Sequence, residues 1–335
     1  MMSALVTLVA IGCYTDAAHP KGLHLVRVDE TSGKMSLVAS LPADNPLYLA
    51  KSGNILYANW RDGLKSFRIA EGKLEPVDFI SLGGSAMCHV AVMPGGQRVT
   101  WAAYLNGLAG LVEVKDGVFG QETSHRHCGK GPNQPRQDGA HPHSAVPAPD
   151  GTRYAVCDLG LDEIVTYPQG RRVATTPAGA GPRHILFHPN GRLALVVFEL
   201  GNYLATYEWS DGNGLGRQLD IQRTLPEGST GRPVDTAAAI RLTPDGRRAI
   251  VSNRGEDSLV AFNLNAETGH LAFAARTRLS GSWPRDFIFL SDTLVLVTME
   301  RSGELLTLRY NPETGAFALL ERLGGLHRPV CACAL

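Results

Sequence analysis

At 335 residues the chain is long enough for one large domain or two ordinary ones. Its 32 basic residues match its 32 acidic ones, which argues against nucleic acid and anionic membrane surfaces as partners. A hydrophobic content of 44% with 19% charged residues is that of an ordinary globular protein, and no apolar run approaches the ~18–20 residues that span a bilayer.

The N-terminal run from Ala4 to Cys13 is apolar but lacks the basic flank of a secretory leader, so it reads as a first β-strand. That reading places the chain in the cytoplasm. Further strands are predicted over Leu23–Asp29 and Lys34–Leu41. Six cysteines stand at 13, 88, 128, 157, 331 and 333 with no CxxC spacing, and are expected as buried, reduced thiols.

A two-strand pattern then recurs: a short strand, a tight turn and a second apolar strand. Its copies are Asn45–Trp60, Met87–Tyr104, His141–Asp158, Gly181–Glu199, Thr236–Arg254 and Trp283–Glu300. The fourth is the clearest, with the turn Pro189-Asn190-Gly191 and a second strand, Leu193–Phe198, that has no polar face. Such a strand must be buried on both sides.

Each copy is followed by a third strand and often a fourth. A period of roughly 40–55 residues with three or four strands per unit predicts a β-propeller. The chain ends on a lone strand, His327–Leu335, which looks like the first strand of a repeat whose remaining strands lie at the N-terminus. Pairing the two ends would close a seventh blade. The expectation is therefore an all-β chain, one domain over 1–335, folded as a seven-bladed propeller with four-stranded antiparallel blades. Two connections stand out as long, Gln121–Ala140 and Asp211–Val234, the second with an outer strand over Arg217–Thr224.

The repeats also align their ends. The place of Arg183, before the first strand, is taken elsewhere by Leu47, Cys88, His143, Ala238, Arg285 and Val330. The place of Glu199, after the second strand, is taken within a residue by Tyr104, Asp158, Arg254 and Glu300. Innermost propeller strands line a central channel, so these positions should converge on one mouth. They would bring together His143, Arg183, His184, Glu199, Arg254 and Arg285. Any one of them alone reads as a solvated strand end, and His141 or His188 as a turn cap.

No Gly-x-Ser-x-Gly elbow, phosphate loop or dinucleotide fingerprint is present. His141-Pro142-His143 could set two imidazoles on one face, but no carboxylate or thiolate pair adjoins them, so neither a catalytic metal nor a cofactor is expected.

At these residues the chain resembles the seven-bladed lactonase family, which includes bacterial 6-phosphogluconolactonases and the eukaryotic carboxymuconate-lactonizing enzyme. The likeness is carried by Gly129-Lys-Gly-Pro-Asn, Arg136-Gln, His141-Pro-His-Ser, Gly181-Pro-Arg-His with Phe187-His-Pro-Asn-Gly, Glu199-Leu, Asn253-Arg254 and Pro284-Arg285. Gly12-Cys-Tyr-Thr15 and Asn45-Pro46 extend it along the whole chain. It implies His143, Arg183, Glu199 and Arg254 as catalytic residues. His184, Arg285, Asn253, His141 and Glu300 are the candidate substrate-binding residues. Two departures are visible: Asp16-Ala-Ala-His-Pro20 replaces a Ser/Gly-rich stretch, and Glu300 stands where many members carry Gln.

These groups suit opening a lactone, which needs an activated water, a stabilised oxyanion and a proton for the leaving alkoxide. Glu199 or His143 could be the general base. An arginine suits the oxyanion, and others suit a phosphate or carboxylate bidentately. With no Ser or Cys nucleophile, direct water attack is expected. The leading expectation is a metal-independent lactonase acting on a small-molecule sugar lactone, 6-phosphogluconolactone first, as a monomer or weak homo-oligomer. A muconate-type cycloisomerase and a non-enzymatic binding scaffold are the two other readings.

Overall fold

The computed structural model describes residues 5–226 and 235–335. Within them every regular element is a β-strand, grouped in seven four-stranded antiparallel sheets. The first strands of neighbouring sheets contact one another around the ring, so they line a central channel. The innermost strands of blades one to six are Leu49–Ser52, Met87–Val92, Pro142–Pro147, Pro182–Phe187, Thr236–Leu242 and Pro284–Phe289.

Blade seven is built from both ends of the chain. Its innermost strand is Pro329–Ala334, followed outward by Val6–Cys13, Lys21–Asp29 and Met35–Pro42. The terminal strands pair from Val9↔Ala334 to Cys13↔Pro329, as the half-repeat at the C-terminus predicts. Gly12 sits at this seam because nothing larger fits: a Cβ there would stand 2.0 Å from the Pro46 carbonyl oxygen.

Seven apolar layers, one between each pair of adjacent blades, make the core. This explains the strand without a polar face. Ala194, Val196 and Phe198 pack toward blade three, while Leu193, Leu195 and Val197 pack toward blade five. With a side-chain period of two, one strand serves two interfaces. The turn before it places only Gly191 at positive φ, 69°, while the Gly191 amide donates to the His188 carbonyl at 3.0 Å.

Outer strands bury little, and that is where the sequence misleads. The polar stretch Gln121–Ala140 reads as one long loop, but its first six residues belong to the outermost strand of blade two, Val118–Arg126, most of which is exposed. In the connection Asp211–Val234 the outer strand runs Gly214–Arg223, close to its predicted place. Residues 227–234 of that connection lie outside the described residues.

Candidate active site

Six of the seven innermost strands carry a register shift near their start. In blade four, Pro182 pairs with Phe198 and His184 with Val197, leaving Arg183 as the extra residue. His143, Arg285 and Cys88 are the extra residues of blades three, six and two in the same way. Val330 holds this place in blade seven, and a wider shift spans Ala238 and Ala239 in blade five. A bulge opposes two residues to one and re-aims a side chain out of the pleat. Here it turns His143, Arg183 and Arg285 toward a common mouth.

Glu199 is the hub of that mouth. Its carboxylate is 3% exposed and is reached by three guanidinium groups: Arg183 Nε at 3.0 Å, Arg254 Nη2 at 2.9 Å and Arg136 Nη2 at 2.6 Å. Burial disfavours its charge, but Arg254, Arg183 and Arg136 outweigh burial and hold the carboxyl well below its ordinary range. Burial and then Arg254 push Arg183 down to about 10, which leaves it cationic at neutral pH. Arg183 also donates to the Ala238 carbonyl at 2.8 Å and to His184 Nε2 at 3.1 Å.

His143 stands beside this hub. Its Nε2 lies 3.9 Å from Glu199 Oε2, beyond hydrogen-bond reach, and its buried Nδ1 has no partner among the described residues. Burial, and then Arg183, holds its pKa well below the usual value, so the ring is neutral. The Tyr104 ring meets it edge-on at 5.6 Å, and the His184 ring at 5.5 Å. Cys88 lies close by, its thiol 3.4 Å from the His143 carbonyl, but burial pushes it up to about 12 and it stays protonated.

A second carboxylate faces the first across the mouth. Glu300, 3% exposed, accepts from Arg285 Nη1 at 3.0 Å and Arg328 Nη2 at 2.5 Å. Both arginines lie over the Tyr14 ring, at 5.4 and 4.1 Å. Burial works against the charge of Arg285, yet Tyr14 and Glu300 raise its pKa above the ordinary value. Arg285 in turn lowers the pKa of Arg183 and Arg254, so the two groups share one electrostatic field.

The structure thus gathers His143, Arg183, His184, Glu199, Arg254, Arg285 and Glu300 around one mouth. The remaining two candidates are already engaged. His141 has both ring nitrogens occupied, Nδ1 by the Tyr104 carbonyl at 2.8 Å and Nε2 by Asp138 at 3.0 Å, and it stacks on Tyr104. It braces the tyrosine that abuts His143. Asn253, wholly buried, donates to the Thr224 carbonyl at 2.8 Å.

One aligned position shifts. Asp158 pairs with Pro142, so by register Leu159, not Asp158, matches Glu199. One residue of offset turns the side chain to the other face of a strand. The Asp158 carboxylate accordingly accepts from the backbone amides of His141 and Gly160 and pairs with His127 at 2.7 Å.

Arg136 and Arg328 are the members missed by aligning the Arg183 and Glu199 places: Arg136 lies outside the repeats, and Arg328 precedes its innermost strand at the place where blades four and six carry Gly181 and Trp283. Arg136 comes from the long connection after blade two. That segment is pinned by Asn133 Nδ2 on the Gly179 carbonyl and Gln137 Nε2 on the Leu159 carbonyl, at 3.0 and 2.8 Å. Its length and its Arg136-Gln wording were the available signals. A groove of about 830 Å³, lined by Asn133, Arg136, Gly179, Tyr203 and Thr236 among others, opens beside it.

Comparison with known proteins gives one answer. The sequence profile of the family described as "Lactonase, 7-bladed beta-propeller" matches residues 8–333. A 6-phosphogluconolactonase of Bacillus subtilis is 33% identical over 341 residues, covering 96% of each chain. A protein of known structure from Lactobacillus plantarum superposes with a TM-score of 0.90 at 30% identity, covering 99% of this chain and all of its own. A periplasmic gluconolactonase of Pseudomonas aeruginosa also gives 0.90, at 26% identity and 99% of both chains.

Proposed function

The chain belongs to the seven-bladed β-propeller lactonases, and from that membership we propose that it hydrolyses an anionic sugar lactone, 6-phosphogluconolactone first among them, at the Glu199 mouth. One observation carries the substrate class. Among the described residues, five guanidinium groups (Arg136, Arg183, Arg254, Arg285, Arg328) share two carboxylates there. Arg183, Arg254 and Arg285 are the largely buried ones, against two buried carboxylates; buried cations in excess are costly unless a ligand brings negative charge, and guanidinium binds phosphate or carboxylate bidentately. A phosphorylated lactone brings that charge to the mouth.

The 3.9 Å between His143 Nε2 and Glu199 Oε2 is a span that one water bridges while donating to each. That water attacks the lactone carbonyl. With the proton of the neutral ring on Nδ1, Nε2 is the acceptor and takes the proton the water loses. Glu199, held strongly acidic by its arginines, orients the water and stabilises the imidazolium as it forms. Arg183 and Arg254 stabilise the tetrahedral oxyanion. The ring C–O bond then breaks, and the imidazolium returns its proton to the leaving alkoxide, giving the hydroxy acid. Cys88, a protonated thiol, is not the nucleophile.

All six cysteines are free thiols, Cys128 exposed where the sequence suggested burial, and this fits a reducing, cytoplasmic setting. Among the described residues no helix is long and apolar enough to cross a membrane.

The test is acid release at constant pH from fresh 6-phosphogluconolactone and glucono-lactone, with ultraviolet absorbance of cis,cis-muconate followed in parallel. Faster opening of the phosphorylated lactone is expected. Cyclisation of the muconate with no lactone opening would replace this reading by the cycloisomerase one. No acceleration on any substrate would remove the catalytic assignment.

A further inference from the structure

The stretch Asp16-Ala17-Ala18-His19-Pro20, which departs from the family wording, takes no part in the mouth described above. It connects the first two chain strands of blade seven, Val6–Cys13 and Lys21–Asp29. Opposite it lies His327, just before the innermost strand of the same blade. Asp16 Oδ1 lies 3.0 Å from His19 Nδ1, and Asp16 Oδ2 lies 3.2 Å from His327 Nε2. The two imidazole rings stack in parallel at 3.9 Å, each offering a nitrogen to the same carboxylate.

We propose that Asp16, His19 and His327 form a binding site for a late first-row divalent cation, Zn2+ foremost, that clips together the two ends of the chain where the propeller closes.

Three observations support it. The donor set is right: two imidazoles and one carboxylate suit zinc, whereas magnesium and calcium prefer several oxygens, and only one carboxylate is offered. The spacing is right: all three donor atoms lie within 4.8 Å of one another. Tetrahedral coordination at Zn–N distances of about 2.0–2.1 Å places neighbouring donors roughly 3.4 Å apart, close to the carboxylate–imidazole pairs at 3.0 and 3.2 Å, and the stacked rings must tilt out of parallel so that both nitrogens meet the ion. The cluster is also held in place and open to solvent. Asp16 Oδ1 accepts from the backbone amides of Ala18 and His19 at 2.9 and 2.8 Å, fixing the turn. The Tyr14 amide donates to the Arg328 carbonyl, and Thr15 and Asn45 exchange two hydrogen bonds, at 3.1 Å each. The Asp16, His19 and His327 side chains remain 52%, 52% and 25% exposed, so a hydrated ion can reach them and keep water in its remaining positions.

The position gives the site its consequence. Tyr14 and Arg328, each adjoining this cluster in sequence or by one further residue, frame the Glu300 side of the mouth. The C-terminal strand is joined to the rest of blade seven along one edge only, through its pairing with Val6–Cys13. An ion shared between His327 and the Asp16–His19 turn adds a second tie across that seam, one present only when the ring is closed.

Metal-stripped full-length protein should be titrated calorimetrically with ZnCl2, and separately with MgCl2, near pH 7.5. One Zn2+ per chain and no Mg2+ response are expected. His327→Ala and His19→Ala should each weaken Zn2+ binding tenfold or more, as should Asp16→Asn, which keeps the turn's acceptor oxygen. Saturating Zn2+ should raise the melting temperature of the parent by about 2–4 °C and leave that of His327→Ala unmoved. Absence of Zn2+ binding by the parent overturns the proposal. So does Zn2+ binding, or a Zn2+-dependent rise in melting temperature, that persists undiminished in both histidine variants, since the ion would then sit elsewhere.

Discussion

Two buried ion-pair groups hang from the innermost strands, and they differ in one respect. Toward one mouth, Glu199 is shared by Arg136, Arg183 and Arg254. Further along the channel, Asp286 takes a single guanidinium among the described residues, Arg241 at 2.6 Å, with the Ala332 amide at 3.4 Å. Arg241 also donates to the Ile240 carbonyl at 2.8 Å, in a cavity of about 460 Å³ that Tyr48, His89 and His184 help to line. Burial pushes His89 down to about 3, so its ring adds no charge there, while Lys51 lines the cavity from an exposed, solvent-screened position. Burial and pairing are common to both groups. What separates them is balance: one cation for one anion makes a strut, whereas cations in excess leave room for an anionic ligand.

The largest expected effect breaks the comparison at its chemical centre. His143→Asn keeps the ring's approximate size and removes its basicity, so kcat on the preferred lactone should fall ~10²–10⁴-fold with KM little changed. Near-parent turnover would show that the proton goes elsewhere, with Glu199 the remaining acceptor. Asp286→Asn should do the reverse. Removing one partner of a buried pair costs about 3–5 kcal/mol, visible as a lower midpoint in urea, while kcat of the folded fraction stays at the parent value. Loss of turnover from this change would erase the distinction between strut and site.

Acid should separate the groups as well. The Glu199 pKa is depressed in the folded protein, so its contribution to stability is present above the ordinary carboxyl value of 4.5 and is lost as pH falls through the folded value. Melting temperature should therefore drop steeply below about pH 4.5 in the parent and less steeply in Glu199→Gln. Parallel curves for the two proteins would mean that other carboxylates control acid unfolding.

Smaller effects sharpen the excess of cations. Arg285→Lys, which keeps charge but loses the bidentate fork, should raise KM about tenfold for 6-phosphogluconolactone and barely change it for glucono-lactone. Equal losses on both substrates, matched by Arg183→Lys and Arg254→Lys, would refute a division between gripping and chemistry. Arg136→Gln should have the smallest effect, up to about fivefold in KM. Its side chain is 42% exposed, and solvent screens what it contributes.

The propeller was readable from the chain because a strand written in alternation, or in unbroken apolar residues, declares which faces it buries. Leu193–Phe198 shows this best, since its two faces belong to two different blade interfaces. The incomplete repeat at Pro329–Ala334 foretold the closing pair with Val6–Cys13 for the same reason. Legibility stopped where burial stopped. The outer strand Val118–Arg126 has little to bury, so its polar residues look like loop.

At the mouth the sequence pointed to positions, and the tertiary structure decided directions. Repeat alignment marked Arg183, His143 and Arg285 as equivalent, but only the bulges that leave each of them unpaired turn their side chains to one centre. It also marked Asp158, which a one-residue offset sends to His127 and the backbone instead. Arg136 reaches Glu199 across 63 residues of chain, and His327 reaches Asp16 from the opposite end of the molecule. A period in sequence encodes which face a residue takes within its own blade, because that is a local property of the backbone. Meetings across the ring depend on where seven blades and their pinned connections come to rest, and no local pattern carries that distance.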